Sequence, residues 1–78
     1  MSQEFSGHQS FVVVSSAFCR VEFGTARFGQ GEMNAILVEF NSGVEYIYLG
    51  VPQDVYVRLM QLVQDHVDTA GAVRVGVF

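Results

Sequence analysis

The sequence predicts a small α+β fold: a mostly antiparallel sheet in the order β-β-β-α-β, with one amphipathic helix on one face. Three observations predict it. Residues 34–49 read as two apolar strands joined by Asn41-Ser42-Gly43. Pro52 is followed by apolar residues three and four apart, the period of a helix. Val73, Val75 and Val77 then alternate with Arg74 and Gly76, the period of a strand.

Taken in order, residues 1–10 hold Ser2, Gln3, Ser6, Gly7, Gln9 and Ser10, and read as a loose polar arm before a domain spanning 11–78. Phe11 to Val14 is β-branched and aromatic and Ala17 to Phe23 alternates loosely; together they read as one long strand interrupted near Ser15-Ser16. Gly24 to Glu32 carries three glycines, Gly24, Gly29 and Gly31, and reads as a turn or loop. Asn34 to Phe40 is the second strand and Val44 to Leu49 the third. Between them Gly43 supplies a positive φ, in a two-residue turn or in a three-residue loop with a bulge. Pro52 suits helix entry because its missing N–H costs nothing there. Asp54 places negative charge at the positive end of the helix dipole. Val55, Tyr56, Leu59, Met60, Leu62, Val63 and Val67 form one wide apolar stripe, and Gly71 is a stop signal.

Half of the 78 residues are hydrophobic and only 15% are charged, more apolar material than a small monomer ordinarily hides. Strand side chains alternate between faces, so Tyr46 and Tyr48 point one way while Ile47 and Leu49 point the other. Two registers are open. In one, Ile36, Val38 and Phe40 join the tyrosine face; in the other they join Ile47 and Leu49. Either way both faces carry apolar side chains, and one helix covers one of them. The second face is expected to meet another subunit, a bound ligand, or the N-terminal arm with Phe5. A second copy of the chain ranks first, since symmetric dimers are the commonest solution. The exposed edge of the final strand favours such pairing.

Net charge is −4 and lysine is absent; Arg20, Arg27, Arg58 and Arg74 are the only Lys or Arg side chains. With no basic stripe to release counterions, binding to duplex DNA is not expected. A single guanidinium can still grip one phosphate in bidentate fashion. The lone Cys19 excludes an internal disulfide framework, and a reducing cytoplasm is the expected location. No run approaches the ~20 apolar residues of a membrane span, so no membrane partner is expected. The polar start, Met-Ser-Gln-Glu-Phe-Ser-Gly-His, carries no cationic side chain and does not resemble a targeting segment. His8, His66 and Cys19 are too dispersed in sequence for a metal site. No cofactor is expected. Ser15-Ser16 with His66 lacks a nucleophile signature, and Gly29-Gln30-Gly31 does not open a helix as a phosphate loop would. Enzymatic activity is therefore not expected.

Ser15-Ser16, Ile36-x-Val38-x-Phe40, Gly43, Tyr46-x-Tyr48, Val51-Pro52, Tyr56 and Leu59 together resemble the KTSC domain family of bacteria and phages, named for the C-terminus of some lysyl-tRNA synthetases. The likeness covers Ser15 to Leu59. Afterwards the chain departs from the family pattern: Leu62 to His66 lacks the Ala-x-Ser-x-Gly-like stretch, and Phe23 stands where a tyrosine is usual. The resemblance implies a small α+β module and, through fusion to a synthetase, a connection to nucleic acid.

The leading functional expectation is a homo-oligomeric binding module for a nucleotide-like or short single-stranded ligand, serving to sequester a signal. Tyr46 and Tyr48 would stack on a base, and Arg74 or Arg20 would meet the phosphate. The alternative is a protein-interaction or assembly module that regulates a host protein through its apolar sheet face. In that case the tyrosines are interface anchors. For each tyrosine the plainer role is amphipathic packing, with the hydroxyl at the rim. For each arginine it is a surface ion pair.

Overall fold

The computed structural model describes residues 4–74 and contains a five-stranded sheet with one helix. The elements are β1 (Glu4–Val14), β2 (Phe18–Phe28), β3 (Gly31–Phe40), β4 (Glu45–Leu49), α1 (Gln53–Asp65) and β5 (Ala72–Arg74). The sheet order is β4-β3-β2-β1-β5; the first four strands pair antiparallel and β5 lies parallel to β1. The α+β class with one helix is therefore what the sequence predicts, with one strand more before the helix.

That extra strand corrects three expectations. Residues 4–10 of the stretch expected as a loose arm form the first half of β1, where Glu4 to Gly7 pair with Arg27 to Gly24; residues 1–3 lie outside the described residues. Its polar side chains lie exposed, so composition carries no strand signal; the backbone of β2 supplies the reason to be extended. Phe11–Phe23, expected as one interrupted strand, is instead a hairpin turning at Ser15-Ser16-Ala17, where the Ser15 hydroxyl accepts a hydrogen bond from the Ala17 N–H at 3.1 Å. The loop expected over 24–32 shrinks to Gly29-Gln30, with Gly29 at φ 65°. Gly24 sits inside β2 opposite Gly7, and a Cβ there would run into the backbone of Ser6. It is a close-approach glycine, not a turn glycine.

The β3–β4 connection is the three-residue loop. Phe40 N–H donates to the Val44 carbonyl and Gly43 N–H to the Phe40 carbonyl, each at 2.9 Å, with Gly43 at φ 93°. This loop sets the register Ile36↔Tyr48 and Val38↔Tyr46. Ile36, Val38 and Phe40 thus share the tyrosine face, the first of the two registers, and α1 lies over that same face.

The helix begins after Pro52, which is its N-cap residue, and Asp54 occupies its first turn. It ends at Asp65, before the expected stop. Gly71, at φ 82°, instead closes the turn that leads into β5. The expected strand continues to Val75 and Val77, which lie outside the described residues.

The core forms between sheet and helix. Phe23 (1% exposed), Ile36 and Tyr56 are buried together, flanked by Phe11, Val21, Val38 and Met60. Phe23 takes Phe11 on one edge and Tyr56 on another, both near perpendicular, the geometry that aromatic quadrupoles favour.

Candidate functional site

Helix α1 is apolar around more of its surface than the sheet can use. Tyr56 alone is buried among its residues, with Met60 and Val63 half-buried beside it. Val55, Leu59 and Leu62, one turn apart on the neighbouring row, stay 39–55% exposed. Their spacing of four and three keeps them in line along the helix.

The sheet ends under this row. β4 is an edge strand of five residues, all exposed. Tyr46 and Tyr48 stand on its helix side, 54% and 53% exposed. Tyr46 rests edge-on against Phe40, ring centroids 5.3 Å apart. Tyr48, Val55 and Leu59 wall an apolar groove of about 440 Å³ whose floor includes Ile36 and Val38.

Among the described residues the outer rim of β4 is also unpaired. Since Phe40 bonds to Val44, the alternation of the ladder turns the backbone groups of Tyr46 and Tyr48 toward β3. Those of Glu45, Ile47 and Leu49 point away from the sheet. The strip thus combines open backbone donors and acceptors with exposed apolar side chains on both of its faces.

The two arginines predicted to meet a phosphate lie elsewhere. Arg20 is on the sheet face opposite the tyrosines. Its Nε donates to Glu39 at 2.9 Å, and its terminal nitrogens donate to Glu22 at 3.0 Å and Glu45 at 3.1 Å. The hydrogen bond to Glu39 holds the guanidinium pKa further above its already high value. Arg74 is on β5, the opposite sheet edge, about 19 Å from β4 at about 4.8 Å per strand step. Its Nε donates to Asp68 at 2.8 Å. Tyr46 and Tyr48 are brought together; neither arginine joins them.

The open face carries apolar side chains, as expected, with Phe28, Ile47 and Leu49 exposed on it, but a charged cluster divides it. Arg20 with its three carboxylates covers one part. Ala26 and Ala35 (both 0% exposed) and Leu37 are buried among their own neighbours in another. Val12 and Val14 remain exposed near the β5 side. Among the described residues the β4–α1 flank joins an unshielded apolar surface to an open strand rim.

His66 is exposed at the helix end and hydrogen-bonds the Leu62 carbonyl through Nδ1 at 2.8 Å. Cys19 is half-buried, its Sγ 3.6 Å from the Glu39 carbonyl oxygen. Among the described residues no group of His, Cys, Asp or Glu is arranged to hold a metal, and no helix is long and apolar enough to cross a membrane. Ser15 and Asn41 serve the fold. The Asn41 side chain donates to the Ser15 carbonyl at 3.0 Å and so ties the two hairpin turns together.

Val55 and Leu59 are legible in the sequence as helix stripe, but not as exposed surface. The available signal is the width of that stripe, which takes in seven of the eight apolar residues from Val55 to Val67. Comparison with protein-family models, with curated proteins and with solved structures finds no match.

Proposed function

We propose that the chain is a non-enzymatic protein-interaction module that docks another polypeptide on the β4–α1 flank. One observation carries this: a free strand rim lies directly beside exposed Tyr46, Tyr48, Val55 and Leu59. Strand addition to such a rim supplies main-chain hydrogen bonds, and the adjacent groove supplies side-chain specificity. Tyrosines at the centre of a patch are the residue type that anchors interfaces. Net charge of −4 with no lysine suits a polypeptide partner better than a polyanion.

The nucleotide-stacking alternative has its aromatic rings but not the two arginines expected to meet the phosphate. Arg20 is engaged by carboxylates on the other face, and Arg74 is at the far edge.

Site-specific photo-crosslinking in cells tests the proposal. A benzophenone amino acid replacing Tyr48 is expected to give polypeptide adducts. The same probe replacing Val12, on the opposite face, is expected to give few. Nucleic-acid adducts at position 48, or equal polypeptide yields at 48 and 12, would overturn the proposal.

A further inference from the structure

We infer that the polypeptide received by this flank is a second copy of the chain, joined β4 to β4 in antiparallel fashion with Ile47 on the two-fold axis. This rests on the proposed docking role of the flank and specifies its occupant.

The backbone of the rim is self-complementary, as an isologous interface requires. Glu45, Ile47 and Leu49 direct their N–H and C=O groups outward. An antiparallel copy centred on Ile47 pairs Ile47 with its symmetry mate and Glu45 with Leu49 of the other chain. These are the hydrogen-bonded positions of an antiparallel ladder.

The rim also lacks the usual protection. Natural edge strands are guarded by lysine, proline, a bulge or a covering loop. β4 has no lysine and no proline, and its register against β3 runs from Glu45 to Leu49 without a bulge. Its single charge, Glu45, is already held by Arg20 at 3.1 Å. In the proposed register Glu45 faces Leu49 of the other chain, so no two carboxylates are forced together.

The patch extends past the strand: Val44, Tyr46, Tyr48, Val55, Leu59 and Leu62 are each 39–55% exposed and would share the contact with the strand rim. Pairing also places Tyr46 beside Tyr48 of the other chain in a non-hydrogen-bonded pair, where side chains approach most closely. Four tyrosine rings then meet on the helix side of one continuous sheet, between the two Val55–Leu59 rows.

Two measurements test this on the full chain. The first is sedimentation of the purified protein over a concentration series, with Ile47→Pro and Ile47→Lys variants. The Ile47 N–H points outward, so proline there removes a rim donor and leaves the β3 ladder whole. A dimer is expected, its dissociation constant raised more than about tenfold by either substitution. Should Ile47→Pro lose its native circular dichroism, Ile47→Lys alone decides. The second measurement mixes Tyr46→Cys and Tyr48→Cys chains, each also carrying Cys19→Ser, under mild oxidation. Disulfide-linked dimer is expected in the mixture well above either variant alone.

A monomer at every concentration, a dimer indifferent to both Ile47 variants, or equal linking in the unmixed samples would each overturn the inference. Cellular adducts at position 48 with foreign polypeptides only, alongside a monomeric purified chain, would remove self-pairing and leave the docking role standing. No polypeptide adduct of any kind would remove both.

Discussion

Tyr56 meets Phe23 edge to face, with ring centroids 5.6 Å apart and planes at 86°. This contact pins α1 to the centre of the sheet. Because Tyr56 is the only buried residue of the helix, the seam is narrow. The row one step round the helix, Val55 and Leu59, therefore overhangs β4 instead of packing on it.

Tyr56→Ala is expected to cost about 3–5 kcal/mol, the range for deleting a buried aromatic ring, and to release the helix from the sheet. Tyr56→Phe keeps the ring and should stay close to the parent in a urea melt. Burial raises the Tyr56 phenol pKa above its ordinary value. A raised folded value means the contribution is complete below about pH 10, the unfolded phenol range, and is lost as pH climbs past it. An alkaline unfolding titration should show this loss in the parent and not in Tyr56→Phe.

Gly24→Ala is the second prediction. A methyl group there meets the Ser6 backbone, which has no side-chain freedom with which to retreat. Overpacking of this kind costs about 1–3 kcal/mol, and the strain falls on the β1–β2 ladder. At Gly31 an added Cβ approaches only the Phe28 carbonyl, at 3.8 Å, so Gly31→Ala should be nearly neutral. Equal thermal midpoints for the two variants would contradict the close approach of β1 and β2.

Local chemistry makes part of this fold legible. The period of two puts Tyr46 and Tyr48 on one side, and Pro52 with the apolar spacing after it places the helix. What escapes is decided by partners distant in sequence. Glu4 to Ser10 has no apolar pattern and is a strand because β2 offers it hydrogen bonds. The register of Tyr48 on Ile36 hangs on one conformational choice at Gly43. Arg20 reads as a free cation because Glu39 and Glu45, on β3 and β4, come beside it only once the sheet is assembled. Val55 and Leu59 read as core because a stripe reveals the width of an apolar face, not the width of the sheet available to cover it.

Arg20→Met gives the third prediction. The substitution keeps the packing volume and leaves Glu22, Glu39 and Glu45 crowded without their common cation. The site is about a third exposed, so the loss should be modest, about 1 kcal/mol at low ionic strength. Screening at 1 M salt shortens the reach of that repulsion to about 3 Å, so the stability gap from the parent should shrink as salt is added. A gap independent of salt would mean that lost packing, not carboxylate repulsion, sets the cost.

Asp68 organises the turn between α1 and β5. Its Oδ1 accepts hydrogen bonds from the N–H groups of Ala70 and Ala72 at 2.9 and 3.0 Å, and its Oδ2 accepts from Arg74 at 2.8 Å. The Ala72 N–H, with Arg74 next, holds the carboxyl pKa below its ordinary value. A lowered folded value means that the stabilisation is present above the unfolded pKa of about 3.9 and drains away as pH falls through the folded one. Asp68→Asn removes the charge at every pH. The parent should therefore melt higher than the variant at neutral pH, and the difference should close as pH is lowered below about 4. Hydrogen exchange at Ala72 is expected to accelerate in the variant, because that amide loses a charged acceptor and the start of β5 loosens from β1. A melting difference that stays constant down to low pH would show that the turn is held by its backbone alone.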